Sequence, residues 1–224
     1  MLPCQPEKAI ETNAASFIVE TARKHPGEVT LLALGRLTNL ALALAVEPRL
    51  PELVKEVVLM GGAVSVSGNV SPVAEANVSG DPHAADIVFT APWRVTMVGL
   101  DVTTRVRLTD DVLSRMAKKD PRLGGFIYRI TRFYRRFYES IAVTGGFYVH
   151  DPSAVAYFVD PSLFVTEKAR VRVATDGIAI GQTIAAIGPR AEEWAPWRGQ
   201  PEVNVCREVD AERLVRLFET TLTP

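Results

Sequence analysis

Two short stretches of this 224-residue sequence concentrate residue types suited to handling a hydroxyl-rich ligand. In the first, Asn69, Glu75 and Asn77 stand close together in a run of small, polar and turn-forming residues. All three side chains accept hydrogen bonds and the two amides also donate, which suits a ligand carrying several hydroxyl groups. Asx turns that stabilise a loop are the other reading of the same residues. In the second stretch His150, Asp151 and Pro152 are consecutive. A carboxylate at a helix start fits an N-cap by itself, and a lone histidine beside an apolar segment is usually structural. Tyr134 and Tyr138, one helical turn apart, belong to an apolar stripe that by its spacing reads as core. The remaining histidines, His25 and His83, match no such grouping and read as surface residues.

These residues need elements to hold them. From 7 to 24 the apolar positions Ile10, Ala14, Phe17, Ile18 and Ala22 step by three and four, predicting an amphipathic helix that closes at Pro26-Gly27. The apolar run 29–34 predicts a strand covered on both faces, and Gly35 breaks it. Thr38 or Asn39 is placed to cap a helix over 40–46. A strand over 57–60 stops at Gly61-Gly62, and the long loop after it holds the Asn69, Glu75, Asn77 group; long loops inside compact domains are usually functional. Asp81 before Pro82 marks the next helix start, and 95–100 is a third strand ending at Asp101. The stretch 107–118 predicts a helix, and 121–141 another, whose stripe is Leu123, Phe126, Ile127, Ile130, Phe133, Tyr134, Phe137, Tyr138 and Ile141. His150 to Pro152 opens a further helix; 170–174, 182–186 and 203–206 predict a small antiparallel addition, and Asp210 caps a closing helix with Leu214, Val215 and Phe218 inward. Strand and helix in alternation imply an α/β fold with an open, mostly parallel sheet flanked by helices. In such sheets ligands collect at the carboxyl ends of the strands, where Leu34-Gly35, Met60-Gly61 and Asp101 all lie.

Composition narrows the classes. Hydrophobic residues at 47% and charged residues at 23% are ordinary for one globular domain spanning 1–224. A net charge of -1 gives no reason to expect nucleic acid or an anionic membrane as partner, and the local cluster Arg129, Arg132, Arg135, Arg136 at helical spacing reads as a solvated face. Cys4 and Cys206 are too few for a disulfide scaffold, no secretory signal is read at the N-terminus, and a reduced cytoplasmic setting is expected. The longest apolar run, around 37–46, is too short to span a membrane. No G-x-G-x-x-G follows any predicted strand, which weighs against a dinucleotide enzyme.

The run GGAVSVSGNVSPVAEANVSGDPHAA at 61–85 resembles the central signature of the inosine-uridine-type nucleoside hydrolases. LLALGRLTNLALAL at 31–44, VTMVGLDVT at 95–103 and VHDPSAVAYFVDPSLF at 149–164 are similar to the same family in the same order, so the resemblance covers nearly the whole chain. It implies an open α/β sheet and hydrolysis of the N-glycosidic bond of ribonucleosides, assisted by Ca²⁺. Carried over to this sequence, Asp151 would bind Ca²⁺ and the ribose 3'-hydroxyl, the Leu34 carbonyl would be a second metal ligand, and His150 would sit near the nucleobase and help protonate it as it leaves. Asn69 and Glu75 would take the 5'-hydroxyl and Asn77 the 2'-hydroxyl, with Tyr134 and Tyr138 offered to the base.

The sequence departs from the family at Arg36, where a proline or glycine is usual, and at Ala76, where relatives often carry an aromatic. It also lacks the opening D-x-D-x-G-x-D-D motif, which supplies the other calcium ligands and the general base. The expectation is therefore a sequence that starts late in the family pattern, without the first strands, with weak calcium binding. A raw sheet edge and exposed apolar surface would follow, favouring poor solubility or a homo-oligomer, dimer or tetramer, that covers the gap. The alternative is a catalytically inactive fragment, or a ribose- or nucleoside-binding subunit lacking the aspartate metal site.

Overall fold

The structure is a computed structural model and describes residues 10–224. Cys4 and the first positions of the helix predicted over 7–24 lie outside the described residues; the helix itself, α1, spans Ala14–Lys24 and is capped by Asn13, whose Oδ1 accepts from Ser16 N at 2.9 Å.

A six-stranded sheet organises the chain. Its strands are β1 (Thr30–Ala33), β2 (Glu56–Met60), β3 (Val95–Val98), β6 (Phe164–Val173), β7 (Thr183–Ile187) and β8 (Val203–Val209), in the order β1-β2-β3-β8-β6-β7. The first four in that order run parallel, while β6 is antiparallel to β8 and β7 to β6. The predicted antiparallel addition thus exists but continues the main sheet. A separate two-stranded antiparallel ladder pairs β4 (Arg107–Leu108) with β5 (Phe147–Tyr148).

Alternation along the strands builds two cores. Val57 and Leu59 of β2 and Val95 and Met97 of β3 face one cluster, covered by α1, α2 (Thr38–Val46) and α5 (Pro82–Thr90). Val58, Met60 and Val98 face the other, covered by α7 (Asp110–Lys119), α9 (His150–Val159) and α10 (Ala211–Leu222). Asp81 caps α5 through Ala84 N and Asp210 caps α10 through Arg213 N, both at 3.0 Å and both as the sequence predicts.

Several expectations are corrected. Among the described residues β1 is an outermost strand and is only partly buried, with Leu32 and Leu34 exposed, in place of the cover on both faces expected of its apolar run. α2 begins at Thr38 with Leu37 at the N-cap and no side-chain cap; Thr38 is already inside the helix, and its hydroxyl donates to Asp81 Oδ2 at 2.6 Å. The predicted third strand stops at Val98 and gives way to a short helical turn, α6 (Leu100–Thr103), and the helix predicted from 107 starts at Asp110 after β4.

The largest correction concerns α8 (Leu123–Ser140). Of its apolar stripe only Ile127 and Tyr138 are buried, while Phe126, Ile130, Phe133, Phe137 and Ile141 are exposed, Phe133 to 82%. The stripe is too wide for one contact: Ile127 and Tyr138 turn inward, and the positions beside them face outward. The arginine cluster of the same helix is a solvated face, as expected, with Arg135 held by Asp110 at 2.6 Å and Glu139 at 3.0 Å. His25 and His83 are exposed.

Candidate active site

Because β1, β2 and β3 are parallel, their carboxyl ends open on one side, and α9 starts there. A cleft of about 710 Å³ at this edge is lined by Asn69, Glu75, Asn77, Tyr134, Tyr138, His150 and Asp151. Leu34 does not reach it. It lines a neighbouring apolar concavity of about 310 Å³ that shares Asp151 and Pro152 with the cleft.

The loop between β2 and α5 folds back on itself to present its polar residues. Gly62 has φ +79°, a left-handed conformation that disfavours other residues, and a Cβ at Gly68 would stand 2.1 Å from the Ala74 carbonyl oxygen. Asp101, buried at 2% exposure, ties down the loop's start by accepting from Val64 N and Ser65 N, both at 2.8 Å, while Arg207 approaches its carboxylate at 3.4 Å. Glu75, also 2% exposed, is the N-cap of the short helix α4 (Ala76–Gly80). Its carboxylate accepts from Gly62 N at 3.0 Å, Asn77 N at 2.9 Å and Val78 N at 3.1 Å. Asn69 Oδ1 accepts from Ala76 N at 2.9 Å, and Asn77 Nδ2 donates to the Met60 carbonyl at 3.0 Å. Each amide uses one end to hold the loop, leaving Asn69 Nδ2 and Asn77 Oδ1 at the cleft without a hydrogen-bond partner among the described residues.

Electrostatics follow burial. Desolvation pushes the Glu75 carboxyl above its usual range despite the three amides that oppose this, and the nearby Asp151 charge adds to the rise. Asp151 is the second residue of α9, not its N-cap, and its carboxylate has no hydrogen-bond donor among the described residues. It is exposed on one side, yet its partial enclosure still raises its carboxyl. Burial lowers His150 to about 4, so its ring is a neutral imidazole at neutral pH. Nδ1 of that ring lies 2.7 Å from Thr103 Oγ1 and Nε2 lies 2.9 Å from Tyr138 Oη, which is 3.3 Å from Tyr134 Oη. Burial also drives the Tyr138 hydroxyl well above the ordinary tyrosine range, so it stays protonated. Tyr138 meets Tyr148 edge-on at 5.4 Å and Tyr134 meets Phe147 edge-on at 5.3 Å, giving the cleft an aromatic wall.

Thr103, Phe137, Phe147 and Tyr148 join the site without having been singled out as site residues; Thr103 and Tyr148 lie inside or beside matched motifs, which is the only signal the sequence offers for them. The calcium expectation meets a poor donor set. Asp151 and Leu34 line one concavity, but no group of three or more His, Cys, Asp or Glu that could hold a metal ion exists among the described residues. Ca²⁺ takes six to eight oxygens, so the described residues do not fit the ion.

The family profile described as inosine-uridine preferring nucleoside hydrolase matches residues 1–216. Over 222 residues the chain is 39% identical to uridine nucleosidase 1 of Arabidopsis thaliana, covering 99% of this chain and 66% of that protein. It is 42% identical over 188 residues to the inosine-uridine preferring nucleoside hydrolase of Crithidia fasciculata, covering 83% of this chain and 59% of that one. The chain thus spans 59–66% of the length of these two relatives. Among solved structures, the plant nucleoside hydrolase PpNRh1 superposes with a TM-score of 0.94 at 36% identity, covering 99% of this chain and 70% of that one. A purine-preferring ribonucleoside hydrolase from Gardnerella vaginalis superposes with a TM-score of 0.89, also at 36% identity, covering 99% and 68%.

Proposed function

The chain belongs to the inosine-uridine preferring nucleoside hydrolase family, and from that premise we propose that its cleft binds a ribonucleoside and that its activity is hydrolysis of the N-glycosidic bond to ribose and a free base, which base salvage would consume. The observation that carries this reading is the convergence of Asn69, Glu75, Asn77, His150 and Asp151 on one cleft beside an aromatic wall.

In this reading Asn69 Nδ2, Asn77 Oδ1 and the Asp151 carboxylate take ribose hydroxyls, and Glu75 sets the loop that carries the two amides while lining the sugar pocket. Bond cleavage gives the sugar oxocarbenium character, which negative charge at Glu75 and Asp151 favours. Tyr134 and Tyr138 pack against the base, and the neutral His150 assists the leaving group by hydrogen bonding through Tyr138 rather than as an imidazolium acid. A calcium ion, implied by the family, would find Asp151 and the Leu34 carbonyl as its ligands here; that set falls short of its usual coordination, and no step of the proposal runs through it.

A second reading is a nucleoside-binding chain without turnover. Two assays separate them: ribose release from uridine and inosine, with and without added calcium, and calorimetry with the same nucleosides. Heat together with ribose release supports the hydrolase, heat without release supports the binding chain, and no heat with any nucleoside overturns both. We further propose one domain over 1–224, a cytoplasmic setting in which the buried Cys206, its thiol pushed up to about 12, stays inert, and a homo-oligomer, dimer or tetramer. No helix among the described residues is long and apolar enough to cross a membrane.

A further inference from the structure

Thr103 ends α6 just beyond β3, with 0% exposure, and its hydroxyl meets His150 Nδ1 at 2.7 Å. From there an unbranched chain runs outward: His150 Nε2 to Tyr138 Oη at 2.9 Å, then Tyr138 Oη to Tyr134 Oη at 3.3 Å, with Tyr134 lining the cleft. A neutral imidazole has one donor and one acceptor nitrogen, so such a chain has only two consistent orientations at the ring, and with Nε2–H as donor either tyrosine hydroxyl can donate to the other.

In the first, Thr103 donates to Nδ1 and Nε2–H donates to Tyr138, and whichever tyrosine hydroxyl donates to the other, the spare hydrogen of the pair is left at the cleft that both line. In the second every arrow reverses: Tyr134 donates to Tyr138, Tyr138 to Nε2, and Nδ1–H to Thr103. That leaves the Thr103 hydrogen over. The Thr103 hydroxyl has no other hydrogen-bond partner among the described residues, so the second orientation strands a donor in a dry interior. The first leaves its spare hydrogen where water or a ligand accepts it. Stranding a buried donor is the costlier outcome.

We propose that Thr103 is a positioning residue that fixes His150 as the Nε2–H tautomer, so that the aromatic wall offers the cleft a hydroxyl donor. The inference deepens the ribonucleoside reading of the cleft and rests on it for its consequence: the base must turn an acceptor, a ring nitrogen or carbonyl oxygen, toward Tyr134 and Tyr138, and an edge presenting only donors is disfavoured.

The test is imidazole ¹⁵N–¹H correlation spectroscopy on the labelled full chain, well above the ordinary histidine pKa of about 6.5. His150→Gln identifies which of the three histidine ring systems belongs to His150. The expected spectrum has an unprotonated Nδ1 and a protonated Nε2 at His150. Thr103→Val keeps the side-chain shape without the hydroxyl and should shift both nitrogens toward a tautomer mixture, and Thr103→Ser should restore the parent pattern. A protonated Nδ1 in the parent protein overturns the inference even if the valine variant does not fold, and so does an unchanged ring in a folded Thr103→Val. The spectrum is independent of turnover, so a chain that binds no nucleoside would sink the functional reading while leaving the tautomer assignment to stand or fall by itself.

Discussion

Glu75→Ala perturbs the fold and the site through one carboxylate. The side chain is 2% exposed and accepts from three backbone amides at 2.9 to 3.1 Å, two opening α4 and one at the turn after β2. A hydrogen bond to a charged group contributes roughly 1.5–3 kcal/mol net. Three of them would set the ceiling, and two effects lower it. Burial already disfavours the ionised carboxyl, offsetting part of what the amides return. The residue also lines the cleft, so water can reach the space left behind and satisfy some of the freed N–H groups. We expect Glu75→Ala to cost about 3–5 kcal/mol. Glu75→Gln, which keeps one oxygen but turns an NH₂ toward a donor, should cost about 2 kcal/mol. Against a usual total of roughly 5–15 kcal/mol the alanine change is severe. Urea unfolding at neutral pH, followed by far-UV circular dichroism and by fluorescence of the buried Trp93, measures both variants. An alanine variant within about 1 kcal/mol of the parent at unchanged slope would mean that this carboxylate does not hold the loop, and the placement of Asn69 and Asn77 would lose its basis.

Two further outcomes are expected. His150 has a folded value of about 4, below its unfolded value of 6.5, so between these the unfolded chain binds the extra proton. Its contribution is complete above 6.5 and is lost as pH falls through 4, amounting to about 3 kcal/mol at 1.36 kcal/mol per unit. Glu75 and Asp151, both raised, work in the opposite direction, losing stability as pH rises through their folded values, but they are present in parent and His150→Gln alike. Urea midpoints of the two proteins should converge on acidification, and parallel curves would refute the assignment. On α8, Phe133→Ser should change stability by no more than about 0.5 kcal/mol, whereas Phe89→Ala in the core should cost about 3–5 kcal/mol. A large loss at Phe133 would mean that the outward stripe packs against something.

How much of this the sequence discloses depends on whether local pattern and tertiary context agree. Val57 to Met60 is buried on both faces and reads so; Thr30 to Ala33 has the same apolar character, yet is an outermost strand among the described residues and is only half covered. Strand order is a non-local property, and nothing within the run distinguishes a central from an outer position. Caps show the same division. Asp81 and Asp210 cap their helices because the acceptor, the helix start and the donor amide are all local, whereas α2 starts one residue early, with Leu37 at its N-cap, and the Thr38 hydroxyl bonds Asp81 far along the chain. On α8, period alone calls for an apolar stripe but cannot say how much of it finds a neighbour.

The site divides along the same line. The polar loop and the His150-Asp151 pair are legible because their residue types are rare in apolar surroundings and recur at motif spacing. Their individual duties are not, since these depend on which end of each side chain the fold engages. Asn69 gives its oxygen to Ala76 N and Asn77 gives its amide to Met60 O, so two residues of one type present opposite polarities to the cleft. A ligand satisfying both needs an acceptor near Asn69 and a donor near Asn77, and a hydroxyl group serves in either place. That versatility is why a polyhydroxylated sugar fits this pair of amides better than a ligand offering only acceptors, such as a phosphate, beside the carboxylates of Glu75 and Asp151.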